Sequence, residues 1–377
     1  MKAEKIVNES LTSAIYDLAI ETELAKAPRL SRALKCPILL KREDQQPVFS
    51  FKIRGAYHKM LKLDAEQRKR GVVAASAGNH AQGVAISANK LGIPAHIFMP
   101  QTVQQLKVEA VQSYGAITYL KCPELDLAVQ QAMEFAKKKK MPFFHPFDDY
   151  DVIAGQGTMG AELLRQISDP IEAVFICTGG GGLLAGVATV IKSLRPKTKV
   201  YGVEPHDAAS MAAALRAGRP VLLPYVGRFA ETVAVRKVGS KTFGLCKQFV
   251  DGVIEVDTAS ICSAIKDIYE DTRTIIEPSG ALGVAAARKY VESGQSKGGA
   301  LVCVLSGANM NFDMLRHIVE RATSGSRGEM ILGATIPEKP RSFLRFCNLL
   351  GKRSVTEFNY RYAGDSDAHV FAGIELS

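Results

Sequence analysis

Ala173-Val174-Phe175-Ile176-Cys177-Thr178-Gly179-Gly180-Gly181-Gly182-Leu183-Leu184 decides the fold of this chain, because its hydrophobic pattern changes across the glycines. Residues 173–178 are an apolar run too short for a globular helix and bounded by turn residues, so they read as a buried strand. Leu183 to Leu194 carries apolar residues at helical spacing. The glycines therefore form a strand-to-helix turn, where free backbone N–H groups and the helix dipole favour an anion. A ligand-free turn of this composition would cost backbone entropy without packing gain. The same alternation recurs at Val72-Val73-Ala74-Ala75 and Ala95-His96-Ile97-Phe98-Met99, each followed by a helical pattern. Such alternation predicts an α/β chain whose parallel sheets are covered on both faces.

Two further segments give the anion a chemical setting. Ser50-Phe51-Lys52-Ile53-Arg54-Gly55-Ala56 places one lysine between an aromatic and a predicted helix from Gly55 to Leu63. There an amine is partly desolvated and biased toward the neutral nucleophile that a Schiff base requires. Ser76-Ala77-Gly78-Asn79-His80 precedes a helical pattern beginning Ala81-Gln82-Gly83, so this loop sits at a helix N-terminus and suits a carboxylate. Together the three segments describe a pyridoxal phosphate site. The competing reading is a nicotinamide-dependent dehydrogenase: Gly180-x-Gly182-x-x-Ala185 fits the dinucleotide fingerprint, with Glu204 roughly 20 residues on. That reading gives Lys52 and Asn79 nothing to do.

Leu40-Lys41-Arg42-Glu43-Asp44, the Lys52 segment, Ser76 to His80, His145-Pro146-Phe147-Asp148-Asp149, Gly155-Gln156-Gly157-Thr158, Glu277-Pro278-Ser279-Gly280-Ala281 and Leu305-Ser306-Gly307-Ala308-Asn309 follow in an order that resembles the biosynthetic threonine dehydratases (threonine ammonia-lyases). These belong to the fold-type-II pyridoxal phosphate enzymes, with serine dehydratases, serine racemase, cysteine synthase and the tryptophan synthase β chain. The resemblance implies a tryptophan synthase β-like fold of two α/β domains meeting across the cofactor. The large domain would comprise residues 1–42 and 149–325 and the small one 43–148, with a partial α+β ACT-like segment at 329–377. It implies conversion of L-threonine, and possibly L-serine, to a 2-oxo acid and ammonia, the first step of isoleucine biosynthesis for threonine. Serine dehydration or racemisation would use nearly the same residues.

By the same resemblance, Lys52 holds the cofactor and then acts as base on the substrate Cα proton, with Phe51 beside the ring. Asn79 hydrogen-bonds the phenolic oxygen. Gly179, Gly180, Gly181 and Gly182, with the Leu183 amide, bind the phosphate, and the Ser306 hydroxyl faces the pyridine nitrogen. Ser76, Ala77, Gly78 and His80 seat the substrate carboxylate, His80 not as a base. No side chain announces itself as the acid that protonates the departing hydroxyl.

The 377 residues allow two or three domains, on a prior of roughly 150 each. A formal charge of +10 is spread along the chain, and its densest run, Lys137 to Lys140, ends a helix predicted from Leu125 and complements the dipole there. No nucleic-acid patch is expected. Seven cysteines form no C-x-x-C pair or zinc-like grouping, so reduced thiols are expected. The polar N-terminus and the absence of a long apolar run predict a cytoplasmic protein without membrane contact. A homodimer or homotetramer is the family expectation. Ala230-Glu231-Thr232-Val233 departs from the family at Thr232, commonly a glycine, and Glu231 alone makes no metal site.

Thr323-Ser324-Gly325-Ser326-Arg327-Gly328 reads as a linker. Beyond it, strand (Met330 to Ile336), helix (Arg341 to Leu350), strand (Ser354 to Tyr362) and strand (His369 to Leu376) resemble the start of an ACT-like unit, without its second helix and last strand. An open sheet edge and weak or absent isoleucine inhibition are expected. A clear loss of activity at modest isoleucine would refute the latter.

Overall fold

The alternation read from the sequence becomes three sheets in a computed structural model, which describes residues 2–326, 329–351, 353–362 and 367–375. Strands β1 (Leu24–Lys26), β2 (Ile38–Arg42), β3 (Val72–Ala75), β4 (Ala95–Pro100), β5 (Ile117–Cys122), β6 (Ile171–Cys177), β7 (Lys199–Pro205), β8 (Gly252–Val256) and β9 (Ala300–Leu305) lie in one unit ending at Asn311. Six form a sheet in the order β1-β2-β9-β6-β7-β8, and β3-β4-β5 form a smaller parallel sheet. Within the larger sheet β2, β9, β6, β7 and β8 run parallel, as expected. The edge strand β1 does not: it pairs antiparallel with β2, Leu24 opposite Lys41. Its connection to β2 is shorter than the dozen or so residues of a parallel crossover.

β9 is buried along its whole length and β6 nearly so, which explains why their residues lack polar alternation. The small sheet packs its two faces into separate apolar clusters. One joins Met60, Val84, Ile97 and Phe144; the other joins Val73, Phe98, Ala132 and Ala136.

Two helices fix the position of the lysine segment. The helix Tyr150–Gln166 is capped by Asp149, which accepts from the N–H groups of Asp151 (2.9 Å) and Val152 (3.2 Å). It is buried continuously from Val152 to Leu163 and crosses the helix Lys52–Leu61. The crossing is close because glycines face each other: a Cβ at Gly155 would lie 2.6 Å from both the Arg54 carbonyl oxygen and the Gly55 Cα.

Behind that crossing lies a cluster of buried charges. Arg54 donates to Glu43 at 2.7 Å from both Nε and Nη2, to Glu162 Oε2 at 2.9 Å and to Thr158 Oγ1 at 3.0 Å. Lys41 Nζ pairs with the same Glu162 at 2.5 Å. Two cations and two carboxylates cancel inside the core, which removes most of the penalty for burying them.

The second unit, residues 312–377, begins with the helix Met314–Ser326. The expected linker is therefore helical as far as Ser326, while Arg327 and Gly328 lie outside the described residues. Leu315, Ile318, Val319 and Ala322 recur at helical spacing, with Ile318 and Ala322 buried, and this apolar period overrides the local serine and glycine content. β10 (Glu329–Pro337), β11 (Val355–Tyr362) and β12 (Asp367–Glu375) form an antiparallel sheet in the order β10-β12-β11. Leu376, expected in the last strand, lies outside the described residues. Phe346 and Leu350 of the helix Ser342–Leu350 pack on Ala368, Val370, Ala372 and Ile374. At alternate positions Ile331 and Phe371 remain exposed. Among the described residues no helix is long and apolar enough to cross a membrane.

Candidate active site

Parallel strands deliver their following loops to one edge of a sheet, and β6 and β9 deliver Gly179–Gly182 and Ser306 in this way. The lysine segment docks on the second of these loops. Phe51 N–H donates to the Ser306 carbonyl at 3.1 Å, and Ser50 bridges Gly307. Lys52 then opens its helix, earlier than the predicted start at Gly55. Its Nζ donates to the Pro146 carbonyl at 3.1 Å and lies 5.1 Å from the centre of the Phe51 ring. Lys52 as a whole is half-buried, yet its Nζ is enclosed by protein, and burial lowers it to about 8 against the opposing pull of Cys177 and Glu277. Ser306 is buried, and its side chain hydrogen-bonds Cys177, the last residue of β6.

The glycine turn is pressed from several directions. A Cβ at Gly180 would fall 2.2 Å from the Phe147 ring, and one at Gly179 would fall 2.9 Å from Val233 Cα. Gly181 adopts φ +90°, which other residues rarely take. Among the described residues no backbone carbonyl accepts from the N–H groups of Gly179, Gly180 or Gly181, and those of Gly182 and Leu183 open the helix Gly182–Leu194, where first-turn donors have no intrahelical partner. The turn is thus a cradle of N–H donors without backbone partners among the described residues.

Asp148 holds the cradle from behind. Its carboxylate accepts from the N–H groups of Ser240 (3.2 Å), Lys241 (2.8 Å) and Thr242 (3.2 Å), at the start of the helix Ser240–Phe249. Thr242 Oγ1 in turn donates to the Gly180 carbonyl at 2.7 Å. His145 Nδ1 accepts from the N–H groups of Phe147 (3.2 Å) and Asp148 (2.8 Å), which shapes the turn carrying both. Burial lowers His145 to about 4.

On the other side, Ser76, Ala77 and Gly78 form the half-buried loop between β3 and the helix Asn79–Lys90. His80 is buried within that helix, its ring Nε2 is 2.8 Å from the Phe144 carbonyl, and burial first, then the Lys52 charge, lower it to about 3. Asn79 Nδ2 donates to both oxygens of Glu277, at 3.0 and 3.2 Å, and Asn79 Oδ1 accepts from Asn309 at 2.7 Å. Glu277 is buried and also accepts from Ser279 (2.8 Å) and Thr232 (3.2 Å); burial raises its carboxyl above the usual range.

In the sequence Glu277, Asp148 and Asn309 stand only within the motifs that carry the resemblance, without roles of their own. An acid before Pro278 reads as a helix start, and nothing in the sequence says that it is buried. The dinucleotide alternative loses its acid: Glu204 is buried, and its carboxylate accepts from Met211 N–H (2.8 Å) and Ala212 N–H (2.9 Å), closing a helix start instead of meeting a ribose.

Residues 15–307 match the family described as pyridoxal-phosphate dependent enzyme, and residues 320–377 match the C-terminal regulatory domain of threonine dehydratase. The chain is 50% identical, over 100% of its length and 75% of the relative's, to an L-threonine dehydratase biosynthetic IlvA of Burkholderia multivorans. It is 49% identical to the Escherichia coli protein of that name, over 97% of this chain and 71% of the relative. The processed form of threonine deaminase isoform 2 from Solanum lycopersicum superposes with a TM-score of 0.83 at 45% identity, over 85% of this chain and 93% of that one. Maize serine racemase gives 0.78 at 30% identity, over 85% and 98%.

Proposed function

The chain belongs to the pyridoxal-phosphate dependent enzymes, and from that premise we propose that it is a threonine ammonia-lyase, converting L-threonine to 2-oxobutanoate and ammonia in isoleucine biosynthesis. The observation that carries the reading is the Lys52 amine, lowered to about 8 and held by Pro146, whose neighbour Phe147 packs on the glycine turn. The cradle fits the cofactor: its N–H groups are uncommitted, and a side chain at Gly180 would displace the Phe147 ring packed against the turn.

Lys52 would hold the cofactor through Nζ, Gly179–Gly182 with the Leu183 N–H would bind its phosphate, and Asn79 Nδ2 would donate to its phenolic oxygen. Phe51 would flank the ring and Ser306 would face its nitrogen. When bound, the cofactor supplies an electrophilic aldehyde carbon and a ring that withdraws electrons from the substrate Cα. The chain's own residues do the rest. The Ser76-Ala77-Gly78 loop and the N-terminus of the His80 helix orient the substrate carboxylate. The neutral Lys52 amine takes the Cα proton, being closer in pKa to neutrality than an exposed lysine. His80, neutral and turned to the Phe144 carbonyl, takes no part as base. The neutral Ser306 hydroxyl would offer the ring nitrogen a hydrogen-bonding partner and no acid.

The small domain is proposed as residues 43–148, containing β3, β4 and β5, with a cytoplasmic homodimer or homotetramer as the working form. The experiment is 2-oxo acid release from L-threonine with added pyridoxal phosphate, comparing the natural chain with Lys52→Ala. Release that disappears with the lysine supports the lyase reading. No release from either, with serine racemised instead, favours the relationship to serine racemase.

A further inference from the structure

An asparagine amide has two flips, and only one presents an N–H to the phenolic oxygen of a bound cofactor. At Asn79 both neighbours dictate the same flip. Asn309 Nδ2 donates to the Val48 carbonyl at 2.9 Å, which can only accept, and so it presents its second N–H to Asn79 Oδ1 at 2.7 Å. The Glu277 oxygens lie 3.0 and 3.2 Å from the opposite end of the amide, Asn79 Nδ2, and a carboxylate also only accepts. The reversed amide would set oxygen against oxygen on one side and N–H against N–H on the other. Glu277 and Asn79 are 3% and 5% exposed, so water does not relieve such a conflict. Glu277 is itself anchored, because Ser279 Oγ lies 2.8 Å and Thr232 Oγ1 3.2 Å from Oε1, and the two hydroxyls also hydrogen-bond each other.

We propose that Glu277 is a positioning residue for the cofactor site. Its carboxylate consumes one N–H of Asn79 Nδ2 and fixes the amide, so that the second N–H stays aimed at the ligand. The proposal rests on the reading of Lys52 and Asn79 as a pyridoxal phosphate site, and Glu277 acts there only through Asn79. Thr232 Oγ1, within hydrogen-bond reach of both Glu277 Oε1 and Ser279 Oγ, ties the carboxylate to that hydroxyl.

The test uses the full chain loaded with pyridoxal phosphate and reads two quantities, the position of the visible absorption band and the dissociation constant for the cofactor. Glu277→Gln replaces the acceptor-only carboxylate with an amide that can turn an N–H toward Asn79 Nδ2, leaving Asn309 alone to orient the Asn79 amide. We expect the band to move to shorter wavelength and the affinity to fall about tenfold, about 1.4 kcal/mol, with Asn79→Ala giving the same pair of changes. The double variant should then be no worse than Asn79→Ala alone, because the two residues act as one unit. Glu277→Asp keeps an acceptor-only group and should recover part of both; it also serves where the neutral variant does not fold. A loaded Glu277→Gln protein with the natural band and affinity, or a double variant in which the two losses add in full, overturns the proposal alone. A natural chain that takes up no cofactor overturns the underlying reading, and the proposal with it.

Discussion

An exposed lysine is almost wholly protonated at neutral pH, with a usual value of about 10.4, whereas burial holds Lys52 near about 8. The reactive neutral fraction grows as pH rises through the folded value. Capture of pyridoxal phosphate by the cofactor-free chain, followed as visible absorbance, should therefore accelerate with pH to a midpoint near about 8. A midpoint near the ordinary lysine value would mean that the amine is solvated. At this scale the sequence was legible wherever chemistry selects a residue type. Lys52, Asn79, Ser306 and the four glycines could be named because few side chains offer a nucleophilic amine, a neutral amide, a hydroxyl or no Cβ at all. Glu277 could not be given a role, because its importance lies in what surrounds it.

The helices and strands carry the next layer of constraint. Arg54 sits two residues beyond Lys52 on the same helix and ties it to Glu43 after β2 and to Glu162 on the helix Tyr150–Gln166. Arg54→Met leaves Glu43 and Glu162 buried with Lys41 as their remaining cation. Urea unfolding should show a loss of about 3–5 kcal/mol, the range for breaking a buried pair from one side. A loss below 1 kcal/mol would mean that solvent reaches the cluster. Element types were readable from hydrophobic period, as at β3, β6 and β9, but ends were less so. The helix expected from Gly55 begins at Lys52, because Phe51 and Ser50 are held by Ser306 and Gly307, contacts between distant parts of the chain. β1 was unreadable for a different reason: three residues give too little pattern to declare a direction.

For the whole molecule, stability at mild acidity should report His80 and His145. His80 and His145 titrate at about 3 and about 4 in the folded chain, both lowered first by burial, against about 6.5 when unfolded. As pH falls below the unfolded value, the unfolded chain binds protons that the folded chain refuses. Stability fully present above about pH 6.5 is thus lost toward pH 4, at about 1.4 kcal/mol per pH unit for each histidine. Glu204, raised to about 8 by burial, has the opposite sign in that window, so the histidine contribution is read by difference: His80→Gln should make the pH dependence of the urea midpoint less steep in the acid direction than in the natural chain, and an unchanged dependence would place the protonation elsewhere. The sequence by itself determined the alternating architecture, the strand-to-helix glycine turn and the residue types proposed for the cofactor site, because hydrophobic period and functional-group chemistry are local properties. Only the tertiary structure decided the flip of Asn79, the clamp of Asp148 on the cradle, the neutral pairing of Arg54 and Lys41 with two carboxylates and the lowered amine of Lys52. Each depends on desolvation and on partners far away in the chain, and neither is written in the order of neighbouring residues.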